Sequence, residues 1–173
     1  MKNKLSFLFY FVCAIILLSS CSSVPSGYLD VDWGENISEA ENKINCHPKN
    51  WSEWFTDKRF MVGNCDTTEA FGKKATLKLV KENEKFVGAL IHFTDYDVEG
   101  IRKKIIDYYN LDAGDESDIY IISSSFSGKA ERLIRFDDKT CDLVLAGNDF
   151  AEYYKSYQLQ QGFQNLSNGL RAH

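Results

Sequence analysis

The chain has 173 residues, a formal net charge of −5 and 44% hydrophobic residues, which suits one domain of ordinary size with a real core. Its 20 Lys and Arg against 25 Asp and Glu form no basic tract, which argues against nucleic acid or an anionic lipid surface as the main partner. Only three histidines are present, at His47, His92 and His173, and H-E-x-x-H, paired C-x-x-C, G-x-S-x-G and phosphate-cradling glycine loops are all missing, so no cofactor, metal or common hydrolase chemistry is expected.

Lys2 and Lys4 precede an apolar run from Leu5 to Leu18, which closes in Leu18-Ser19-Ser20-Cys21. This order of charge, apolar core, small residues and cysteine resembles the lipobox of bacterial lipoproteins, whose cysteine is acylated and becomes the first residue of the mature protein. The resemblance implies a signal peptide over 1–20 and lipid, such as palmitate, on Cys21. An ordinary secretory leader would be cut after an A-x-A-like site, which is absent, and the run is short for a hydrocarbon core of roughly 30 Å. Loss of residues 1–20, with Lys2 and Lys4, takes the chain from 173 to 153 residues and from −5 to −7. The membrane is then reached through lipid and not through charge, several acyl chains holding firmly where one is marginal. Ser22 follows the cysteine in place of a retaining aspartate, so in a cell with two membranes the resemblance implies the outer membrane, facing the periplasm.

Ser22 to Asp32 contains Pro25 and Gly27 and has no usable periodicity, which predicts a lipidated tether over 21–32 and a single head over 33–160. Ser38-Glu39-Ala40-Glu41 fits a capping box, and Ile37, Ala40, Glu41 and Ile44 share a face, so a short amphipathic helix is expected. From Asn45 to Trp54 the chain reads as a polar loop or a single helical turn. Strands are expected from Arg59 to Asn64, from Ala70 to Lys81 and from Lys85 to Thr94, with Glu82-Asn83-Glu84 as a hairpin turn. The last of these is apolar on both faces and should be central. Asp95 or Asp97 can cap a second helix, in which Val98, Ile101, Ile105 and Tyr108 recur at helical spacing. Three further strands are expected from Ile119 to Phe126, Glu131 to Phe136 and Cys141 to Leu145, then a polar tail over 161–173. Helix and three strands thus occur twice, and the short loops favour antiparallel pairing. The expected class is α+β, a two-layer head with both helices on one face of the sheet.

Trp33-Gly34 ahead of a capped helix, Phe71-Gly72 ahead of two long strands, and a helix closing in Tyr108-Tyr109 resemble a pattern of small secreted bacterial proteins. These are proteins of the β-lactamase-inhibitor-like and outer-membrane-assembly lipoprotein type. The resemblance runs from about Trp33 to Gly147. Members of that group generally bind proteins and do no chemistry, which is what the resemblance implies here.

Of five cysteines, Cys13 lies in the leader and Cys21 is the lipid site, leaving Cys46, Cys65 and Cys141 with three choices of a single bridge in an oxidising envelope. Alternation puts Cys141 on the strand face of Leu143 and Leu145, as a buried thiol behaving like a small hydrophobe. Cys46 follows a helical stretch and Cys65 ends a strand-like one, both beside polar turn residues, so Cys46–Cys65 is the expected bridge. Cys46-His47 would otherwise resemble the start of a cysteine hydrolase, although adjacent residues seldom meet in the geometry that activates a thiol. Asp112, Asp115, Glu116 and Asp118 lack the ligand order of an EF-hand and read as a solvated acidic loop. Trp51, Trp54 and Phe55 form either an aromatic shelf for a glycan or partner protein, or a lid over the open end of the sheet.

Three functional readings follow. The first is a non-enzymatic envelope lipoprotein whose head binds a protein or a cell-wall component. The second is an inhibitor or immunity-like factor of a secreted or envelope enzyme, and the third is a small hydrolase using Cys46 and His47.

Overall fold

The computed structural model describes residues 25–66, 68–111, 119–124 and 126–171; the leader, Cys21, and Asp112, Asp115, Glu116 and Asp118 lie outside them. Order begins ahead of Trp33. Strands β1 (Gly27–Tyr28) and β2 (Val31–Asp32) pair antiparallel around a tight turn, and Tyr28 and Val31 are each 1% exposed in the main core. The tether expected to run through Asp32 is therefore packed from residue 27, because two apolar side chains flanking one turn anchor it. Trp33 lies on Phe86, ring centroids 5.1 Å apart, and its indole N–H donates to the Pro25 carbonyl at 2.9 Å.

Helix α1 (Ile37–Ile44) starts one residue ahead of the expected capping serine. Asn36 is the N-cap, its side chain accepting from the Ser38 N–H at 2.9 Å, which lets Ile37 enter the core in the first turn. Asn45, in the left-handed region at φ 56°, ends the helix: its N–H reaches Asn42 O at 3.3 Å and the Cys46 N–H reaches Glu41 O at 3.0 Å. Helix α2 (Val98–Tyr109) is capped by Asp97, which accepts from the Gly100 N–H at 3.2 Å, and it too ends on a left-handed asparagine, Asn110. The ammonium of Lys73, 2.7 Å from Asp97, together with the Gly100 N–H, holds the Asp97 carboxyl below the usual carboxylate range.

The remaining strands are β3 (Trp51–Glu53), β4 (Phe60–Asn64), β5 (Thr68–Ala70), β6 (Lys73–Glu82), β7 (Lys85–Phe93), β8 (Ile119–Ser124), β9 (Ala130–Asp137) and β10 (Asp142–Gly147). They form one antiparallel sheet in the order β3-β4-β6-β7-β10-β9-β8, with β5 paired to β6, so β7 is central as its sequence predicts. Asn83 and Glu84, both at positive φ, make a two-residue hairpin between β6 and β7, tighter than the expected Glu82-Asn83-Glu84 turn because Glu82 stays paired with Lys85. The run expected as one strand from Ala70 is split by a second such turn, Phe71-Gly72 at φ 53° and 69°. Phe71 tolerates this strained region because its ring is held by Tyr108 and Tyr109, at centroid distances of 5.2 and 5.9 Å. In β7 one extra residue, Val87, bulges out between the Val80–Gly88 and Lys81–Phe86 pairs. The bulge returns Phe86 to the face of Ala89 and Ile91 and sends Val87 to the other, where strict alternation would have exchanged them.

A third helix, α3 (Asn148–Arg171), continues through the stretch expected as a polar tail from residue 161. Helices α1 and α2 share one face of the sheet, as expected, but Phe150, Ala151 and Tyr154 of α3 pack against Val80, Val144, Ala146 and Leu133 on the other. The protein is α+β with helices on both faces of the sheet and not on one. Among the described residues no helix is long and apolar enough to cross a membrane.

Candidate functional site

Antiparallel register sets three rows of side chains on the α3 face. The first, Ser52–Val62–Val80–Gly88–Ala146–Leu133–Ile122, is mostly apolar and lies under Phe150, whose ring approaches so closely that a Cβ on Gly88 would stand 2.6 Å from it. The next, Asn64–Lys78–Leu90–Val144–Arg135–Tyr120, is mixed. The third, Thr76–His92–Asp142–Asp137, is polar throughout.

Helix α3 crosses these rows over β9. Glu152 accepts from the Ala130 N–H near the start of that strand, and Gln158 accepts from Arg135 at 2.8 Å further along it. It thus reaches Val144 in the second row but leaves Lys78 there, and Thr76, His92 and Asp142 in the third row, open. There a groove of about 330 Å³ opens, with Thr76, Lys78, His92 and Asp142 as its polar floor and Trp54, Phe55, Tyr154 and Tyr157 among its lining. Such a volume falls at the small end of the range for small-molecule sites, ~300–1,000 Å³.

His92 Nδ1 lies 2.9 Å from Asp142 Oδ1. Since a carboxylate only accepts, the proton of that bond sits on Nδ1, which leaves Nε2 as an acceptor whenever the ring is neutral. Lys78 is exposed and makes no ion pair among the described residues. Burial pushes the Tyr154 hydroxyl above its ordinary pKa, so it stays a neutral phenol across the physiological range. The arrangement can bind through flat rings at one end and through donors and acceptors at the other.

The three aromatic residues singled out in the sequence do not form one shelf. In β3 and its extension Trp51 and Trp54 are three positions apart, and a period of two puts them on opposite faces. Trp51 is partly buried at the edge of the α1–α2 core, over the space that Gly63 leaves open, with Lys81 Nζ 4.6 Å from its ring centroid. Trp54 continues the ladder by donating its N–H to Phe60 O at 2.8 Å and packs edge-on to Phe150 at 5.5 Å, with its own indole N–H enclosed and unmatched among the described residues. Phe55 stacks on Trp54 at 5.7 Å, meets Tyr157 edge-on at 5.7 Å and is 73% exposed. Lid and shelf are thus divided between adjacent residues, Trp54 covering the core and Phe55 facing solvent.

Cys46 and Cys65 form the expected disulfide, with Cα atoms 5.5 Å apart, and Cys141 is a free, buried thiol whose pKa burial raises. It shares the core face of Leu143 and Leu145. His47 is exposed and stands beside Glu41, at 4.0 Å, with no thiolate at its neighbour Cys46.

Lys78, His92, Asp142, Tyr154 and Tyr157 were not marked as site residues by sequence. The signals were present but weak. His92 and Asp142 alternate with apolar neighbours, and Phe150, Tyr154 and Tyr157 recur at helical spacing. No family model, no curated protein and no solved structure matches this chain.

Proposed function

We propose that this chain is a lipoprotein of the bacterial envelope, carried by lipid on Cys21, whose head binds another protein or a cell-wall component and does no chemistry of its own. The observation that carries the binding reading is the groove between Phe55 and the His92–Asp142 pair, which combines an exposed aromatic wall with a polar floor on an otherwise packed sheet. In a cell with two membranes the anchor belongs to the outer membrane, with the head in the periplasm. The test is a crosslinking capture from native envelopes with the wild-type chain and Phe55→Ala. Loss of the captured species in the variant, with unchanged melting, is the expected result, and equal capture overturns the reading. For the anchor, Cys21→Ser should abolish incorporation of a fatty-acid probe, and a labelled variant would refute it.

A second reading, an inhibitor or immunity-like factor, draws support from the element order. Helix α1 leads to five strands, of which β4, β6 and β7 are the longer ones and β3 and β5 have three residues each, helix α2 leads to β8, β9 and β10, and the last strand of each set pairs with the last of the other. We read this as two related helix-plus-three-strand units, the arrangement the sequence resemblance implies. A single tight enzyme partner in the capture experiment would favour it. The hydrolase reading draws no support, since the Cys46 sulfur is held in the bridge.

A further inference from the structure

From the chemistry of the groove we infer that its ligand is a saccharide bearing a carboxylate. The inference rests on the reading of the groove as a binding site and names what enters it. Its floor is formed by β6, β7 and β10, and each of these is paired on both sides. Their backbone groups are consumed in ladders, so an extended peptide cannot gain affinity here by adding a strand, the usual route for peptide capture on a sheet. Recognition must come from side chains alone.

Those side chains are of three kinds. Phe55 and Tyr157, edge-on to one another at 5.7 Å, offer ring faces whose negative potential suits the C–H face of a pyranose. Thr76, the free oxygen of Asp142 and His92 Nε2 supply the mixture of donors and acceptors that neighbouring hydroxyls require, and the 2.9 Å bond between His92 and Asp142 holds both in place. Lys78 lines the same groove with no anionic partner among the described residues, in a chain of net charge −5. An ammonium left unpaired beside a hydroxyl-matching floor is complementary to a sugar acid, and its charge-assisted bond would separate that ligand from the neutral sugar of the same shape.

The probes are the disaccharide of N-acetylglucosamine and N-acetylmuramic acid, which carries one carboxylate, and N,N′-diacetylchitobiose, which carries none. Each is titrated against the full chain in detergent solution, read by tryptophan fluorescence because Trp54 lines the groove. The acidic disaccharide should bind about tenfold more tightly than the neutral one. Lys78→Gln should abolish that preference by bringing the acidic sugar down to the affinity of the neutral one, and Phe55→Ala should weaken both. Both side chains are exposed, so thermal melts of the two variants should match the wild type. Equal affinity for the two sugars, no binding of either, or a preference that survives Lys78→Gln overturns the inference. If neither sugar binds while envelope capture still depends on Phe55, the saccharide falls and the binding reading stands; if capture is also indifferent to Phe55, both fall.

Discussion

On one face of the sheet Leu77, Leu79, Ala89, Ile91, Leu143 and Leu145 meet Ile37 and Ala40 of α1 and Ile101 and Ile105 of α2, and the covering is complete enough that each of these side chains is buried. On the other face the same strands present an apolar row to α3, then a mixed row, then a polar one. Helix α3 covers the apolar row and then runs on along β9, so its cover of β6, β7 and β10 ends near Tyr154 and Tyr157. A fully apolar face has one use, to be buried, because the free energy of burial grows with the apolar area removed from water. A face that changes character along the strands can bury one end and keep the other for a ligand. The second face is therefore the one with room for a ligand, although the first holds most of the core.

The largest effect is expected on the covered side. Phe93 is fully buried there, against Phe71 and Phe136, and Phe93→Ala should cost about 3–5 kcal/mol, measured by chemical denaturation. A loss no greater than that of a surface change would mean that this face is not the principal core.

The bridge closes a corner of the same face, with Cys46 buried and Cys65 packed against the core. Replacing both cysteines with alanine should destabilise the head by about 3 kcal/mol in the chain-entropy view of a short closed loop. Reduction of the wild type should lower its melting temperature to match. If it does not, the loop is already held by β3, β4 and their neighbours.

Gly88→Ala probes the seat of α3. Its Cβ would stand 2.6 Å from the Phe150 ring, so the helix must shift, at about 1–3 kcal/mol. Hydrogen exchange should then accelerate in the first turns of α3 while α1 keeps its protection. Uniform acceleration across both helices would show that the two faces fold as one unit and are not separable.

The smallest effect is expected at the groove itself. Phe55→Ala should change stability by no more than about 0.5 kcal/mol, the usual range for surface positions, because most of the ring is in solvent. A larger loss would make Phe55 part of the lid that Trp54 forms, and the groove would lose its exposed wall.

Much of the covered face was legible in the sequence. Ile37, Ala40 and Ile44, and again Ile101 and Ile105, recur at helical spacing, and they are the residues the two helices bury. The centrality of β7, the Asn83-Glu84 turn, the burial of Cys141 and the Cys46–Cys65 bridge were also readable. Helix α3 was missed because tyrosines on its buried face dilute the apolar signal, although Phe150, Tyr154 and Tyr157 keep its period. Phe71-Gly72 was missed as a turn because phenylalanine favours strands and takes a positive φ here only through the rings packed around it.

Features that act over three or four residues could be read from neighbours in the chain, namely the Asp97 cap, the turn between β6 and β7 and the amphipathic faces of α1 and α2. Each depends on a local period or on a side chain reaching its own backbone, so neighbours in the chain suffice to specify it. The groove is of another kind. His92 and Asp142 are fifty positions apart and meet only through the β7–β10 register, and Phe55 and Tyr157 meet only where α3 lands. Which strands pair, where one residue bulges and where a helix comes to rest are settled by packing across the whole sheet, and that decision belonged to the tertiary structure alone.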